Sequence, residues 1–273
     1  MSAQASTVPR REIRLDSRLR ATGRSEWIKF SSVRSGPFAL SATALTVVAG
    51  AWLLGDNNRG SYLAASPAGQ AAFDPVFTVL QAIELAQLFV GALGVTAVTG
   101  EYASGLIRGT FVATPQRAQV LAMKALVFAV VVGACCTAMS FAAFFLGQSA
   151  LAPARHAAIG DPGAATAVFG AGLYLTLIGL LGMFIGVLVR RTPGALAALF
   201  GLLVVLPFVF VEFPGRIPSL LGEYLPGNAG ARAWHLLPGG AYTLGRWPGL
   251  GVLLAYVAVA AVAAFALIRR RDA

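Results

Sequence analysis

Charged residues are missing from long stretches of this chain. No Asp, Glu, Lys or Arg occurs in 35–55, 125–154, 162–189, 192–211 or 247–268, and 75–100 holds one charge, Glu84. Each stretch reaches the ~20 residues that a helix needs to cross about 30 Å of hydrocarbon. None shows the alternating ~10-residue segments of a β-barrel. Inside a bilayer every backbone N–H and C=O must be paired within the chain, so such stretches are helices. The pattern predicts an all-α, polytopic integral membrane protein with six transmembrane helices. Glu84 does not remove the second span. The twelve Leu, Ile, Val and Phe residues of 75–100 favour insertion by about 4–7 kcal/mol, against a cost of about 2.5–3.5 kcal/mol for a central charge.

Composition agrees with this reading. Of 273 residues 57% are hydrophobic and 12% charged, about half the ~25% charge of soluble domains. A net charge of +10 would suggest nucleic-acid binding in a soluble protein. Here the positions of the charges give another meaning. Arg10, Arg11, Arg14, Arg18, Arg20, Arg24, Lys29, Arg34, Arg108, Arg117, Lys124, Arg190, Arg191 and Arg269 to Arg271 all fall on one side of a six-span chain. The other side receives Arg59, Arg155, Arg216, Arg232 and Arg246. The positive-inside rule then places both termini in the cytoplasm and requires an even number of spans. The lipid bilayer is the expected partner of this surface, and no nucleic acid is. The first 34 residues carry no apolar core, so no cleaved signal peptide is expected and the first span acts as its own signal.

The polar remainder divides the chain. Residues 1–36 read as a basic cytoplasmic tail that ends in a short amphipathic helix over 25–34, capped by Ser25, with Trp27, Ile28 and Phe30 beside Lys29 and Arg34. Residues 37–273 form the six-span domain. Its longest cytoplasmic connection, 101–124, reads as a hairpin: a short helix presenting Tyr102 and Leu106, then a turn at Thr114–Pro115, where proline suits the first position of a new helix. The longest external loop, 212–246, is rich in Pro and Gly and holds Trp234, His235 and Tyr242. A short amphipathic helix is expected near 217–224, and a loop of this length is often a lid or binding element. Gly91, Gly94, Gly179, Gly182 and Gly186 lie inside spans. Gly182 and Gly186 form a GxxxG pattern, which lets helix backbones approach, and packing within the chain is the expected use.

Catalytic motifs are missing. A P-loop needs Gly-Lys-Ser/Thr, but the lysines, Lys29 and Lys124, follow Ile28 and Met123. His156 and His235 are too far apart for HExxH. Neither GxSxG nor GxGxxG occurs. Cys135 and Cys136, adjacent in an apolar stretch, offer neither a disulfide framework nor a metal site. No enzyme activity, cofactor or metal is expected. Glu84 lies well above Glu101, toward the outer leaflet. An intramembrane carboxylate is a candidate for a substrate pathway, and a structural role stays open beside it.

The segment after the second span carries the most specific pattern: Gly100-Glu101-Tyr102-x-x-Gly105-x-x-Arg108, then Thr114-Pro115-x-Arg117 and Lys124. It resembles the corresponding segment in permease subunits of type-2 ABC transporters, a class that includes bacterial drug, bacteriocin and polysaccharide exporters. Ser25-Glu26-Trp27-Ile28-Lys29-Phe30 is similar to the family's connecting helix, and Arg269-Arg270-Arg271-Asp272-Ala273 to its C-terminus. The resemblance implies a permease in a bacterial cell membrane, paired with a second copy or a homologue and docked on a separate cytoplasmic ATP-binding subunit. It implies export of an amphipathic or lipid-like substrate, with ATP bound only by the partner. Glu101, Tyr102, Gly105, Arg108, Pro115, Arg117 and Lys124 would form the ATPase-coupling element. Glu101 would join a polar contact between helices, and Arg108 and Arg117 would face the ATPase or lipid phosphate. Glu26, Trp27, Lys29 and Phe30 would brace it. Two other readings stay open: a proton-coupled secondary transporter using Glu84, and a non-transporting membrane scaffold or sensor built on the long outer loop and the basic tail.

Overall fold

The computed structural model describes residues 35–104, 117–152, 154–212, 215–237 and 244–270, and no strand occurs among them. The connecting helix with Glu26, Trp27, Lys29 and Phe30 lies outside the described residues, as do Gly105, Arg108 and Pro115. The helices are α1 (Ser35–Ala64), α2 (Pro67–Ala71), α3 (Pro75–Leu80), α4 (Ile83–Ala103), α5 (Arg117–Leu151), α6 (Ala164–Val189), α7 (Thr192–Phe200), α8 (Leu206–Glu212), α9 (Arg216–Glu223), α10 (Pro226–Ala231) and α11 (Arg246–Arg270). A π-helical segment, Gly201–Val205, joins α7 to α8, and a 3₁₀ turn, Arg232–Trp234, follows α10. Six helices are long and apolar enough to cross a membrane: α1, α4, α5, α6, the α7–α8 unit and α11. They match the six stretches read from the sequence, and the protein is an all-α, multi-pass membrane protein.

Boundaries differ where charge alone could not set them. α1 runs on through Asp56 and Arg59 to Ala64, because no proline interrupts it and those charges point outward, exposed. The stretch 75–100 is two helices. Asp74 caps α3, with Pro75 in the first turn, a starting signal in which the missing proline N–H costs nothing. Bonds of the i→i+3 type from Glu84 N to Gln81 O (3.0 Å) and from Leu85 N to Ala82 O (3.2 Å) tighten the join to α4. At the other end α4 continues through Glu101 and Tyr102, so these two residues form the last turn of a span. In the fifth span Pro207 has no N–H to return to the preceding turn, and the five residues before α8 are wound as a π-helix.

α6 is the most enclosed span: 72% of its apolar window is buried, against 17% for α7–α8. Close backbone contact between α4 and α6 makes this possible. A Cβ placed on Gly94 would lie 1.9 Å from the Gly179 carbonyl oxygen, and one on Gly182 would lie 2.3 Å from the Gly91 oxygen. Without a hydrophobic force between helices in lipid, this fit of small residues supplies dispersion contact along the seam. The glycines therefore serve packing within the chain, as expected.

The described part of the 212–246 segment contains the expected amphipathic helix, α9, and packs against the bundle. Gly227, Ala229, Gly230, Ala233 and Trp234 are buried. Trp234, fully enclosed, packs edge-on against Tyr174 of α6 with ring centroids 5.0 Å apart. The apolar side chains and small residues of this stretch seat it between α6 and α11.

Candidate functional site

Two clusters of polar side chains stand at opposite ends of the bundle. The first gathers the last turn of α4, the first turns of α5 and the α6–α7 corner. Lys124 Nζ donates to Glu101 Oε1 at 2.8 Å, and both side chains are mostly buried, 12% and 14% exposed. α6 stops at Arg190, which adopts the left-handed conformation at φ 60°. That geometry is uncommon for a residue with a Cβ. Its N–H closes the helix on Gly186 O at 2.9 Å, and its guanidinium sits 5.3 Å from the centroid of the Tyr102 ring, a cation–π contact. Arg191 then takes an extended conformation and Thr192-Pro193 starts α7. Thr192 Oγ1 donates to Thr99 Oγ1 at 2.8 Å, and Thr99 itself bonds Val95 O. Four spans are thus tied together within one helical turn of α4.

Of the residues expected to form the coupling element, Glu101, Tyr102 and Lys124 are brought together here. Arg117 opens α5. The segment between Ser104 and Arg117 would carry Gly105, Arg108 and Pro115, and it lies outside the described residues. Arg190, Thr99 and Thr192 join the cluster without having been expected. Arg190 counted only toward topology, and an αL helix end at arginine has no sequence signature. A paired arginine placed directly after a span and before Thr-Pro is the one signal that marks this corner.

The second cluster pins the 212–246 segment. Asp74 Oδ1 accepts from Val76 N (3.0 Å) and Phe77 N (2.9 Å), and its Oδ2 accepts from Leu236 N (2.6 Å) and Leu237 N (3.2 Å). One buried carboxylate therefore caps α3 and anchors a chain 162 residues away. His235 lies against Phe77, with ring centroids 4.1 Å apart. Burial, and then the Arg232 charge, lower the His235 pKa below that of a free imidazole, while Asp74 opposes them. Arg246 Nη2 donates to His235 O at 3.0 Å, and Nη1 donates to Gly163 O at 3.2 Å and to Thr166 Oγ1. Gln148 Nε2 donates to Pro75 O at 2.8 Å and its Oε1 accepts from Ala157 N at 2.7 Å. The sequence held a legible sign of Asp74 in the cap-plus-proline pair Asp74-Pro75. Arg246 and Gln148 carried none.

Glu84 belongs to neither cluster. Its side chain is exposed in the first turn of α4, seventeen positions and about 25 Å from Glu101 along the helix. Gln87, one turn on, is buried; its Nε2 donates to Glu84 O at 2.7 Å and its Oε1 accepts from Tyr174 Oη. An apolar groove of about 880 Å³ opens laterally between α5 and α6, lined by Gly133, Thr137, Phe141, Phe169, Thr176 and others. Among the described residues no group of three or more His, Cys, Asp and Glu side chains is placed to hold a metal ion.

No protein-family model matches the chain, and no curated protein matches it.

Proposed function

We propose that this chain is the permease subunit of an ATP-driven ABC exporter in the cell membrane. It would pair with a second permease, identical or homologous, and dock on a separate cytoplasmic ATP-binding subunit. The reading rests on the sequence pattern from Gly100 to Lys124. One structural observation supports it: the buried Glu101–Lys124 ion pair, which clamps the two span ends from which the intervening segment departs. A force that an ATPase applied to α4 and α5 at this pair would reach α6 and α7 through Arg190–Tyr102 and Thr192–Thr99. Coupling of this kind needs packed, contiguous elements. The lateral apolar groove and the uncharged span surfaces suit an amphipathic or lipid-like substrate.

The test is co-purification with the ATP-binding subunit together with vesicle transport. The double variant Glu101→Ala/Arg108→Glu is expected to lose ATPase docking and transport while still inserting in the membrane. Retention of both would overturn the coupling role.

A further inference from the structure

We infer that the lateral groove between α5 and α6 binds an uncharged lipophile carrying a carbonyl or ether oxygen midway along its body, and that the Thr137 hydroxyl holds that oxygen. The inference deepens the export reading by naming a substrate class, and it rests on that reading for the direction of movement. The groove measures about 880 Å³, within the ~300–1,000 Å³ of small-molecule sites, where a few polar groups in an apolar wall fix the orientation of the ligand. Its floor on α5 is made of small residues, Gly133, Ala134 and Ala138, and its lining carries no charge. Gly133 faces Thr176 across the seam, and Thr137 faces Gly172. This antiparallel register puts Phe141 and Phe169 at the same end of the groove.

One hydroxyl in this wall lacks a partner. Within the spans Thr43, Thr96, Thr99, Ser140 and Thr176 each donate to the carbonyl four residues back. Thr137 does not: among the described residues its Oγ1 makes no hydrogen bond. Thr46 shares that lack but does not line the groove. The Thr137 oxygen rests on the α6 backbone, where a Cβ on Gly172 would lie 2.7 Å from it, and its O–H is free to rotate. Thr137 stands thirteen positions from Lys124 and fourteen from Leu151, the end of α5, so about 20 Å of helix lies on either side of it. At that depth no water satisfies the donor, and an unpaired hydroxyl in hydrocarbon costs free energy. The ester oxygens of bulk phospholipid lie at the edge of the layer, about 15 Å away, so ordinary acyl chains leave the hydroxyl unpaired too. A lipophile with an oxygen near its middle pairs with it. A charged molecule would find no counter-ion in the groove, and its desolvation would go uncompensated.

The experiment uses the full chain in nanodiscs without any ATPase, so that its outcome is separate from the docking test above. The probe is dioctyl ketone, a straight chain with its carbonyl at the centre, labelled there with carbon-13 and read by nuclear magnetic resonance. Heptadecane is the counterpart without oxygen. A hydrogen bond from Thr137 is expected to add a downfield carbonyl resonance that protein-free nanodiscs lack. Heptadecane should displace that signal about fivefold less well than unlabelled ketone does, the scale of one neutral hydrogen bond. Thr137→Val, of nearly the same shape, should lose the resonance, and Thr137→Ser should keep it. Absence of the resonance from the wild type, or its persistence in Thr137→Val, would overturn the site. Equal displacement by heptadecane would overturn the substrate class, because the groove would then hold hydrocarbon of any kind. A resonance present with one copy per nanodisc and absent with two would also sink the inference, because a second copy would then cover the groove.

Discussion

Lys124 and Glu101 form an ion pair at 2.8 Å that joins the end of α4 to the start of α5, and the two side chains are only 12% and 14% exposed. The pair lies outside full solvent screening, so its loss differs from that of a surface pair. Removing one partner leaves a mostly buried charge, whereas removing or exchanging both does not. Glu101→Gln and Lys124→Met are each expected to lower thermal stability in detergent. The exchange Glu101→Lys/Lys124→Glu should recover part of the loss. A double-mutant cycle on the melting transition should give a coupling of about 0.5–3 kcal/mol. Additive single effects would show that the pair does not act as a clamp.

The glycine seam allows a test with an internal control. Alanine at Gly94 or Gly182 must displace a backbone carbonyl, because the new Cβ would come within 1.9 Å or 2.3 Å of an oxygen. Neither carbonyl belongs to a flexible side chain, so α4 and α6 have to move apart. Each substitution is expected to cost about 1–3 kcal/mol by overpacking. A Cβ on Gly60 of α1 meets nothing within 4 Å. Gly60→Ala should be neutral or stabilise by about 0.5–1 kcal/mol through helix propensity. Similar melting temperatures for all three variants would contradict the backbone contact.

These features show how far the sequence was legible. Span count came from charge spacing, because excluding a charge from hydrocarbon is a local, per-residue requirement. The glycine pattern was legible for a similar reason: only small residues permit close approach, and they recur at helical spacing. Lys124 and Glu101 carried a motif, but their contact spans 23 positions and depends on where α4 ends, which apolar periodicity does not fix. Trp234 marks a different limit. Its loop reads as external from its polarity, but its burial against Tyr174, next to amides held by Asp74 162 positions away, has no local sign. Long-range polar pairing of single residues leaves no periodic trace.

Asp74 is the residue on which the inserted segment depends most directly. Asp74→Asn keeps a carbonyl oxygen for the Val76 and Phe77 amides but can turn its NH₂ toward the Leu236 and Leu237 amides. Two donors then lose their acceptor, at a cost of about 1–3 kcal/mol. Asp74→Ala removes the α3 cap as well and should cost about 0.5–2 kcal/mol more. Limited proteolysis within 226–237 should increase in the same order. If cleavage there stays as slow as in the wild type, the carboxylate does not hold the segment.

His235 makes the same region sensitive to pH. Its folded pKa is lowered, first by burial and then by Arg232, while an unfolded histidine titrates at about 6.5. Between those two values the unfolded chain binds a proton that the folded chain refuses, so stability rises with pH in that interval. The contribution of neutral His235 is present above about pH 6.5 and is lost as pH falls toward the folded value. The ring rests on Phe77, and its own carbonyl is bound by Arg246, so protonation places a new cation between Arg232 and an aromatic face, with Asp74 the nearby countercharge. His235→Gln removes the titration while leaving the carbonyl bond in place. The wild type is expected to lose more melting temperature than His235→Gln between pH 7.5 and pH 5.5. Parallel losses in the two proteins would assign the acid sensitivity to other groups.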